Sequence, residues 1–368
     1  VSSAVTFTLA NHVENLTLTG TNAVNGTGNA LNNVLTGNSG NNVLTGGLGD
    51  DIYIIATGDA VTEAVNAGID QAQIGATHTL ATNVDALLLT GTTAINGTGN
   101  ALNNLITGNS ANNTLSGGAG TNGNDILQGM AGNDTMSDTV GKNLFDGGAG
   151  TDVITGGTAN EFFAGGAGND TITTGTGADI IAFNRNDGAD TVAVSTGTDN
   201  TLSIGGGVTY ADMRLAKSGN NLIFKLGGTD QITFTNWYAA ATNKSVLTLQ
   251  VVAEAMAGFN LASSDPLFND KVTAFNFQGL VTAFDQALVQ TPGLTDWALT
   301  NAITTFQLAG SDTEALGGDL AYGYGKNSNF TGVGYQPAQD ILGAANFGSG
   351  QQTLQPAANL QTGVVRMA

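Results

Sequence analysis

A nine-residue repeat runs from residue 120 to residue 182, seven times and without an insertion. Its consensus is GGxGxDxUx, where U is a large apolar residue. Glycine permits the left-handed backbone angles of a tight turn, and an apolar residue at position eight suits a short strand with one inward side chain. An eighth unit, RNDGADTVA at 185–193, follows a two-residue insertion. A disordered Gly/Asp-rich linker has no reason to keep this spacing. The position-eight residues predicted to point inward are Leu127, Met136, Phe145, Ile154, Phe163, Ile172, Ile181 and Val192.

The seven units in one phase resemble the RTX, or haemolysin-type, calcium-binding repeat. The resemblance implies a parallel β-roll in which each Ca²⁺ lies between neighbouring turns on the same edge. It also implies a secreted surface or adhesin-like protein exported by type I secretion. The acidic residue at position six agrees with this, because carboxylate oxygens are ligands that calcium prefers.

Two nonapeptides make one coil of such a roll, so successive turns fall on alternating edges. One edge then carries aspartate only, at Asp134, Asp152, Asp170 and Asp190. The other edge is less regular, because one of its residues is neutral and another is longer by a methylene: Asp125, Asn143, Glu161 and Asp179. A single aspartate also favours such turns without a metal. A row of aspartates stacked along one edge, which we call the ladder, instead favours calcium. We therefore predict that these residues and Asp51 bind calcium, and that the aspartate-only edge fills more completely.

The first part of the chain contains a longer repeat with a period of 71 residues, which aligns 13–49 with 84–120. The nine-residue repeat also occurs inside each copy. Its position six, in the turn, is mostly asparagine there: Asn33, Asn42, Asn104 and Asn113. Amides bind calcium poorly, whereas stacked asparagines can hydrogen-bond along a solenoid edge. We expect a β-solenoid that needs little or no metal here, with VTEAV and THTLATNV forming longer strands on the same core.

Beyond residue 193 the repeat fades. The stretch 204–238 is rich in β-formers and is expected to cap the roll, with Trp237 and Tyr238 as packing residues or, as an alternative, a carbohydrate platform. The segments LTLQVVAEAMAGF, GLVTAFDQALV, DWALTNAITTFQLA and PAQDILGAA show helical spacing. The predicted fold is mainly β: a parallel β-roll or β-solenoid followed by a small, mainly helical C-terminal domain. The predicted domains are 1–119 (Asn-rich solenoid), 120–193 (calcium roll), 194–245 (β cap) and 246–368 (helical).

The charge and the residue composition exclude several classes of function. The chain has 29 acidic against 9 basic residues, a net charge of −20, and no cysteine. This charge argues against nucleic acid as a partner, and no apolar run reaches transmembrane length. Only two histidines occur, His12 and His78, and the HExxH, GxSxG and P-loop motifs are absent. The sequence therefore does not predict an enzyme.

Two functions remain open at this stage. In the first, the chain is an extracellular, calcium-stabilised structural protein of the cell surface: a surface-layer, filament or adhesin subunit that folds with calcium after secretion. Such a protein would self-assemble into a filament or lattice, or contact a surface polysaccharide or a host surface. In the second, it is the secretion and folding module of a secreted protease, lipase or polysaccharide-modifying enzyme. Ca²⁺ is the cofactor in both.

Overall fold

Short parallel strands recur along two walls of a coil in the computed structural model, which describes residues 1–118, 120, 123–195, 197 and 199–368. The first wall is a single 15-stranded sheet. Its strands are parallel except for the last two, which are antiparallel. In spatial order they are Ser2–Ser3, Asn15–Leu18, Val34–Thr36, Ile52–Ile55, Gln71–Ile74, Ala86–Leu89, Leu105–Thr107, Ile126–Gln128, Leu144–Asp146, Phe162–Ala164, Ile180–Phe183, Asn200–Ile204, Val246–Val251, Val272–Asn276 and Gln307–Ser311.

Two sheets form the opposite wall. A 4-stranded sheet comes first and contains Phe7–Thr8, Gly26–Thr27, Val43–Thr45 and Ala60–Thr62. An 11-stranded sheet follows, in the order His78–Thr79, Gly97–Thr98, Thr114–Ser116, Thr135–Ser137, Val153–Thr155, Thr171–Thr173, Ala189–Val192, Gln231–Phe234, Asn221–Lys225, Arg214–Ser218 and Trp297–Ala298. Because the chain alternates between the walls, each coil contributes one short strand to each. The fold is a parallel β-solenoid, as predicted.

The coil repeats with the predicted register. Leu127 pairs with Phe145, and Phe145 with Phe163, so two nonapeptides make one coil. On the opposite wall Ile172 pairs with Val192, which accommodates the two-residue insertion. All eight position-eight side chains are buried in one core, where the rings of Phe145 and Phe163 stack with centroids 5.2 Å apart. This packing confirms the prediction that they point inward.

The 71-residue repeat also appears as equivalent strands. Asn15–Leu18 corresponds to Ala86–Leu89, and Val34–Thr36 to Leu105–Thr107. The intervening segments do not form the longer strands that we predicted. VTEAV overlaps only the end of Ala60–Thr62, and THTLATNV contains only the two-residue strand His78–Thr79. These strands stay short because they follow the same tight winding as the repeats.

Antiparallel strands and one helix close the far end of the coil. Asn221–Lys225 pairs antiparallel with Gln231–Phe234, which continues the second wall. Helix α1 (Phe277–Gln290) begins at Asn276, whose side chain accepts a hydrogen bond from Gly279 N at 2.9 Å. Trp237 is fully buried against Phe277, with ring centroids 5.9 Å apart, so it is a packing residue. Tyr238 is half-buried, and its hydroxyl donates to Asp285 Oδ1 at 2.9 Å.

The segment 314–368 returns to the middle of the solenoid and covers the outer face of the first wall. It contains a two-stranded antiparallel sheet, Glu314–Leu316 with Gln351–Thr353, and the helices α2 (Gly318–Asn327), α3 (Tyr335–Gly343) and α4 (Ala357–Leu360). Apolar side chains of the roll and of this segment form a second core: Leu105, Ile126, Leu144, Phe162 and Ile180 pack with Leu320, Tyr324, Phe330, Ile341 and Leu342. A backbone contact completes the docking, since Ala368 N donates to Gln128 Oε1 at 2.9 Å.

Two of the four segments with helical spacing form helices, and the prediction is wrong for the other two. GLVTAFDQALV lies in α1 and PAQDILGAA in α3. LTLQVVAEAMAGF instead forms the strand Val246–Val251 and the 3-10 turn Ala253–Ala255, and DWALTNAITTFQLA forms short strands and the 3-10 turns Leu299–Asn301 and Ile303–Phe306. The physical reason is the open edge of each wall: its unpaired backbone groups hydrogen-bond to these segments and outweigh their helical spacing.

The proposed division into four domains remains a prediction. Both walls continue through residues 193 and 245 without a change of sheet, because Ile180–Phe183 pairs with Asn200–Ile204, which pairs with Val246–Val251. The boundary at residue 119 lies outside the described residues.

Candidate metal centre

Each position-six residue ends a glycine-rich turn immediately before a strand. In the unit 147–155, Gly148 and Gly150 have φ values of 88° and 146°, a left-handed backbone that glycine adopts without strain. A Cβ on Gly148 would also lie 2.7 Å from the carbonyl carbon of Met130, one coil earlier. Only glycine therefore allows the turns to stack this closely, which brings each Asp against its equivalent in the next coil.

Four of the predicted ligands form a hydrogen-bonded ladder along one edge. Asp134 N donates to Asp152 Oδ1 at 2.7 Å, and Asp152 N donates to Asp170 Oδ1 at 2.8 Å. Asp170 N donates to Asp190 Oδ1 at 2.9 Å. All four residues are buried. The structure thus brings Asp134, Asp152, Asp170 and Asp190 together on the edge assigned to them.

The ladder uses only one oxygen of each carboxylate. The buried Oδ2 atoms of Asp134, Asp152 and Asp170 have no hydrogen-bond partner. An ideal Cβ on Gly147 would lie 2.5 Å from Asp152 Oδ2 and closer still to the carbonyl oxygen of Gly165. A carboxylate oxygen and a carbonyl oxygen of the next coil therefore border the same small space. A hard cation fits this donor set, because calcium takes six to eight oxygen ligands from carboxylates and carbonyls.

Among the described residues, no ion pair involves these carboxylates. Burial raises the pKa of Asp152 to about 6, of Asp134 and Asp170 to about 7, and of Asp190 to about 9. In the part of the chain that the structure describes, the ion pairs lie elsewhere: Arg185–Asp212, Lys225–Asp296 and Lys326–Glu254. Burying several uncompensated charges is costly, so the ladder needs either protons or a bound cation.

The other edge is less regular, as its sequence indicates. Asp125 N donates to Asn143 Oδ1 at 2.8 Å, and Glu161 N donates to Asp179 Oδ1 at 3.0 Å. Neither carboxylate oxygen of Glu161 has a hydrogen-bond partner. Burial and the carboxylate of Asp179 raise the pKa of Glu161 to about 10. All four predicted residues lie on this edge and are buried, but they offer an amide and a displaced carboxylate where the first edge offers aspartates.

An aromatic ring also occupies part of this second edge. A Cβ on Gly156 would lie 2.5 Å from Cζ of Phe163, whereas the equivalent space beside Gly147 faces a carboxylate. The space beside Gly156 therefore faces an aromatic carbon where the first edge has a carboxylate oxygen. This difference supports the prediction that the aspartate-only edge binds calcium more completely.

Sequence reasoning missed one acidic residue of the second edge. Asp138 stands where the repeat has its first glycine, and it is buried. Its carboxylate faces Asp125, because a Cβ on Gly117 would fall on the Oδ2 atoms of both residues. Burial, followed by the neighbouring Asp138, raises the pKa of Asp125 to about 9. The signal was present in the sequence as a departure from the consensus at position one.

A second missed feature is a line of asparagines at position five. Asn133 Oδ1 accepts the N–H of Thr151 at 2.9 Å, and Asn169 Oδ1 accepts the N–H of Ala189 at 2.9 Å. Asn124 does the same for Lys142 N at 2.8 Å. These side chains satisfy turn N–H groups of the following coil, so the asparagine before each aspartate stabilises the stacking.

The asparagine turns of the first part of the chain satisfy their polar atoms within the protein. Asn33 Oδ1 accepts the N–H of Asn29 at 2.7 Å, and its Nδ2 donates to Val13 O at 3.3 Å. Asn113 Nδ2 donates to Ile95 O at 2.6 Å. An amide thus closes this turn with its own donor where an aspartate leaves an oxygen without a partner. These contacts support the expectation that the asparagine turns need little or no metal.

Asp51, the remaining predicted ligand, lies apart from the roll. Its Oδ1 accepts the N–H of Asn33 at 2.7 Å, while its Oδ2 is buried and has no partner. The neighbouring carboxylate is Asp70 rather than a nonapeptide residue, since Asp51 N donates to Asp70 Oδ1 at 2.9 Å.

The two histidines lie in different surroundings. His12 is exposed beside a surface cavity of about 250 Å³ lined by Asn11, Asn29, Ala30 and Leu31. His78 is half-buried in the first strand of the 11-stranded sheet, and burial lowers its pKa. Among the described residues, no helix combines the length and the apolar content that crossing a bilayer would need.

Comparison with known proteins supports the repeat assignment. The family model of the RTX calcium-binding nonapeptide repeat matches in four copies, over residues 27–59, 98–122, 119–154 and 155–188. No curated protein matches the chain. Repeats of this family bind Ca²⁺, indicate a secreted protein and form a solenoid that is typically non-catalytic. The chain therefore contains RTX calcium-binding nonapeptide repeats, within residues 27–59 and 98–188.

Proposed function

We propose that this protein is an extracellular structural subunit of a cell surface layer, filament or adhesin, and that calcium drives its folding after secretion. The observation that carries this proposal is the line of buried Oδ2 atoms without partners at Asp134, Asp152 and Asp170. Three consecutive coils of one edge therefore each offer a free carboxylate oxygen to the space between the coils.

Folding is coupled to the cation because the ladder is unfavourable without one. Stacked carboxylates repel each other more strongly in a buried site than in water. In the unfolded chain the same groups are solvated and far apart. Calcium between the coils would replace the repulsion by attraction, and its binding free energy would become folding free energy. Asp134, Asp152, Asp170 and Asp190 would hold the ions of the first edge, and Asp125, Asp179, Glu161 and Asn143 those of the second.

A structural role follows from the shape and the composition. A solenoid whose core runs from Leu9 to Ile303 is a stiff rod, and each coil contacts mainly its neighbours. Neither His12 nor His78 lies beside a carboxylate ladder, and ligation explains the acidic residues better than acid–base chemistry does. The net charge of −20 keeps metal-free chains apart and would allow calcium to promote their association.

The first test measures folding. Circular dichroism should show the strand signal rising with millimolar calcium and falling when a chelator is added. The matched controls are magnesium at the same concentration and the double variant D152N/D170N, which should both respond weakly. An identical spectrum with calcium and with chelator would contradict calcium-coupled folding.

The second test measures assembly. Light scattering and negative-stain electron microscopy of the folded protein should show ordered fibres or lattices in calcium, and dispersed chains after chelation. The competing function, a folding module of a secreted enzyme, predicts monomers at every calcium concentration. Folded, calcium-loaded monomers at high protein concentration would therefore overturn the structural role while leaving calcium binding intact.

A further inference from the structure

We propose a separate calcium site, outside the roll at 120–193, formed by the carboxylates of Asp51, Glu63 and Asp70, whose ligand oxygens lie within 4.8 Å of one another. The repeat match that contains Asp51 ends at residue 59, before Glu63 and Asp70. The site is thus built from one repeat residue and two residues of the irregular segment that follows. It is independent of the roll described above.

The coil brings the two aspartates together. Ile52–Ile55 pairs in parallel with Gln71–Ile74, so the residues that precede these strands are neighbours. Asp51 N donates to Asp70 Oδ1 at 2.9 Å, and Asp70 N donates to Asp85 Oδ2 at 2.9 Å. Asp51 and Asp70 are both fully buried, and each keeps an Oδ2 atom without a hydrogen-bond partner.

Glu63 reaches the same place from the opposite wall. It follows the strand Ala60–Thr62, and its side chain is fixed by two backbone groups. Its Oε1 accepts the N–H of Gly46 at 3.0 Å, and its Oε2 accepts the N–H of Ala64 at 3.2 Å. Glu63 is only 8% exposed. These bonds hold its carboxylate toward the two aspartates although all three groups carry the same charge.

A buried tyrosine gives an independent indication of a ligand. Tyr53 is fully buried, and its hydroxyl has no hydrogen-bond partner. Buried tyrosine hydroxyls usually find a partner. A Cβ on Gly46 would fall on both Asp51 Oδ2 and the Tyr53 hydroxyl, so these two oxygens border one small space that glycine leaves open. The space is therefore bordered by a carboxylate oxygen and a neutral oxygen, and neither has a hydrogen-bond partner among the described residues.

The donor set selects the type of metal. All the groups are hard oxygen donors, and the chain has no cysteine for soft metals. Magnesium usually keeps several waters and demands octahedral geometry, whereas calcium accepts irregular sets of carboxylates. Burial, together with the neighbouring acidic groups, raises the pKa of Asp51 to about 7 and of Asp70 to about 8. A divalent cation would compensate this cluster, which has no positive side chain among the ion pairs of the described residues.

The experiment uses terbium, a calcium substitute whose luminescence is sensitised by a nearby tyrosine. Excitation of the full-length protein should give emission that is partly lost in Y53F, because Tyr53 borders the site, while Y53F still binds calcium. The double variant E63Q/D70N should lose one calcium equivalent per chain in equilibrium dialysis, together with the Tyr53-dependent emission. The control E14Q changes an exposed glutamate and should behave as wild type.

The outcomes separate this site from the roll. The variant D152N/D170N should weaken calcium binding at the first edge of the roll but keep the Tyr53-dependent emission. E63Q/D70N removes repulsion between acidic groups and should remain folded, which circular dichroism in calcium checks. Wild-type stoichiometry in E63Q/D70N, or equal emission from Y53F and wild type, would overturn the proposal without affecting the assignment of the roll.

Discussion

Asp152 Oδ1 accepts the backbone N–H of Asp134 at 2.7 Å, while Oδ2 of the same carboxylate is buried without a partner. One oxygen therefore fixes the stacking of two coils, and the other remains available to a cation. A neutral amide at this position would keep the first function and lose the second. This division of labour makes the two roles separable by mutation.

Replacing Asp152 and Asp170 by asparagine should weaken calcium binding at the first edge at least about tenfold, because an amide is a poorer ligand than a carboxylate. Replacing Asn143 by alanine on the other edge should have a smaller effect. Calcium titration followed by calorimetry measures both. The control E14Q/D340N removes the same charge from two exposed sites. Equal losses of affinity in D152N/D170N and N143A would contradict the difference between the edges.

Metal-free protein should become less stable as the pH rises. Burial raises the pKa of Asp134 to about 7 and of Asp190 to about 9 in the folded chain, above the ordinary value of 3.8. At any pH between 3.8 and the raised value, each of these groups binds more protons in the folded state than in the unfolded state. The stability that these protons contribute is therefore fully present at low pH and is lost as the pH rises through the folded pKa values. Thermal melts of metal-free protein from pH 5 to pH 8 should show a falling Tm. Saturating calcium should remove this trend, and a Tm that rises with pH in metal-free protein would contradict it.

Gly147 should not tolerate a side chain. A Cβ at this position would lie 2.5 Å from Asp152 Oδ2 and would fill the space where a cation fits. G147A should therefore lower both calcium affinity and stability, the latter by about 1–3 kcal/mol, as overpacking does. Urea unfolding in calcium measures this change. Gly293 offers a control, because its Cβ position is open and G293A should unfold like the wild type.

The docking of segment 314–368 should depend on Phe330. This residue is only 2% exposed, and its ring centroid lies 5.6 Å from that of Phe162 on the outer face of the roll. F330A should cost about 3–5 kcal/mol, the usual loss for a buried phenylalanine. It should also increase the binding of an apolar dye in calcium, because the outer face opens. The control L308A truncates a side chain that is 61% exposed and should change stability by less than about 0.5 kcal/mol.

The repeat made the solenoid predictable, because its period sets the coil length and position eight sets the core. Position seven of the nonapeptide also indicates that the outer face of the first wall is covered, which we did not predict. On the first wall this position is apolar, as in Ile126, Leu144 and Phe162, whereas on the second wall Thr135 and Thr171 are exposed. Sheets buried on both faces carry apolar residues at successive positions. An alternation every second unit therefore signalled a buried outer face on one wall only.

Other features depend on contacts between distant parts of the chain. Glu63 and Asp70 lie in no repeat, and only the winding brings them beside Asp51. The strand Val246–Val251 has apolar spacing that also suits a helix, but pairing with Asn200–Ile204 decides its conformation. The local sequence predicts neither the carboxylate cluster nor this strand, because each depends on contacts with residues far away along the chain.

The hydrogen bond between Ala368 N and Gln128 Oε1 spans 240 residues. The winding of the solenoid, by contrast, joins residues about one coil apart. It can nucleate at any coil and propagate to the neighbouring coils. Closing a loop of 240 residues carries an entropic cost that pairing between neighbouring coils does not, and such contacts form slowly. We therefore expect the C-terminal segment to dock after the coils have wound, on a surface that cation-driven winding prepares.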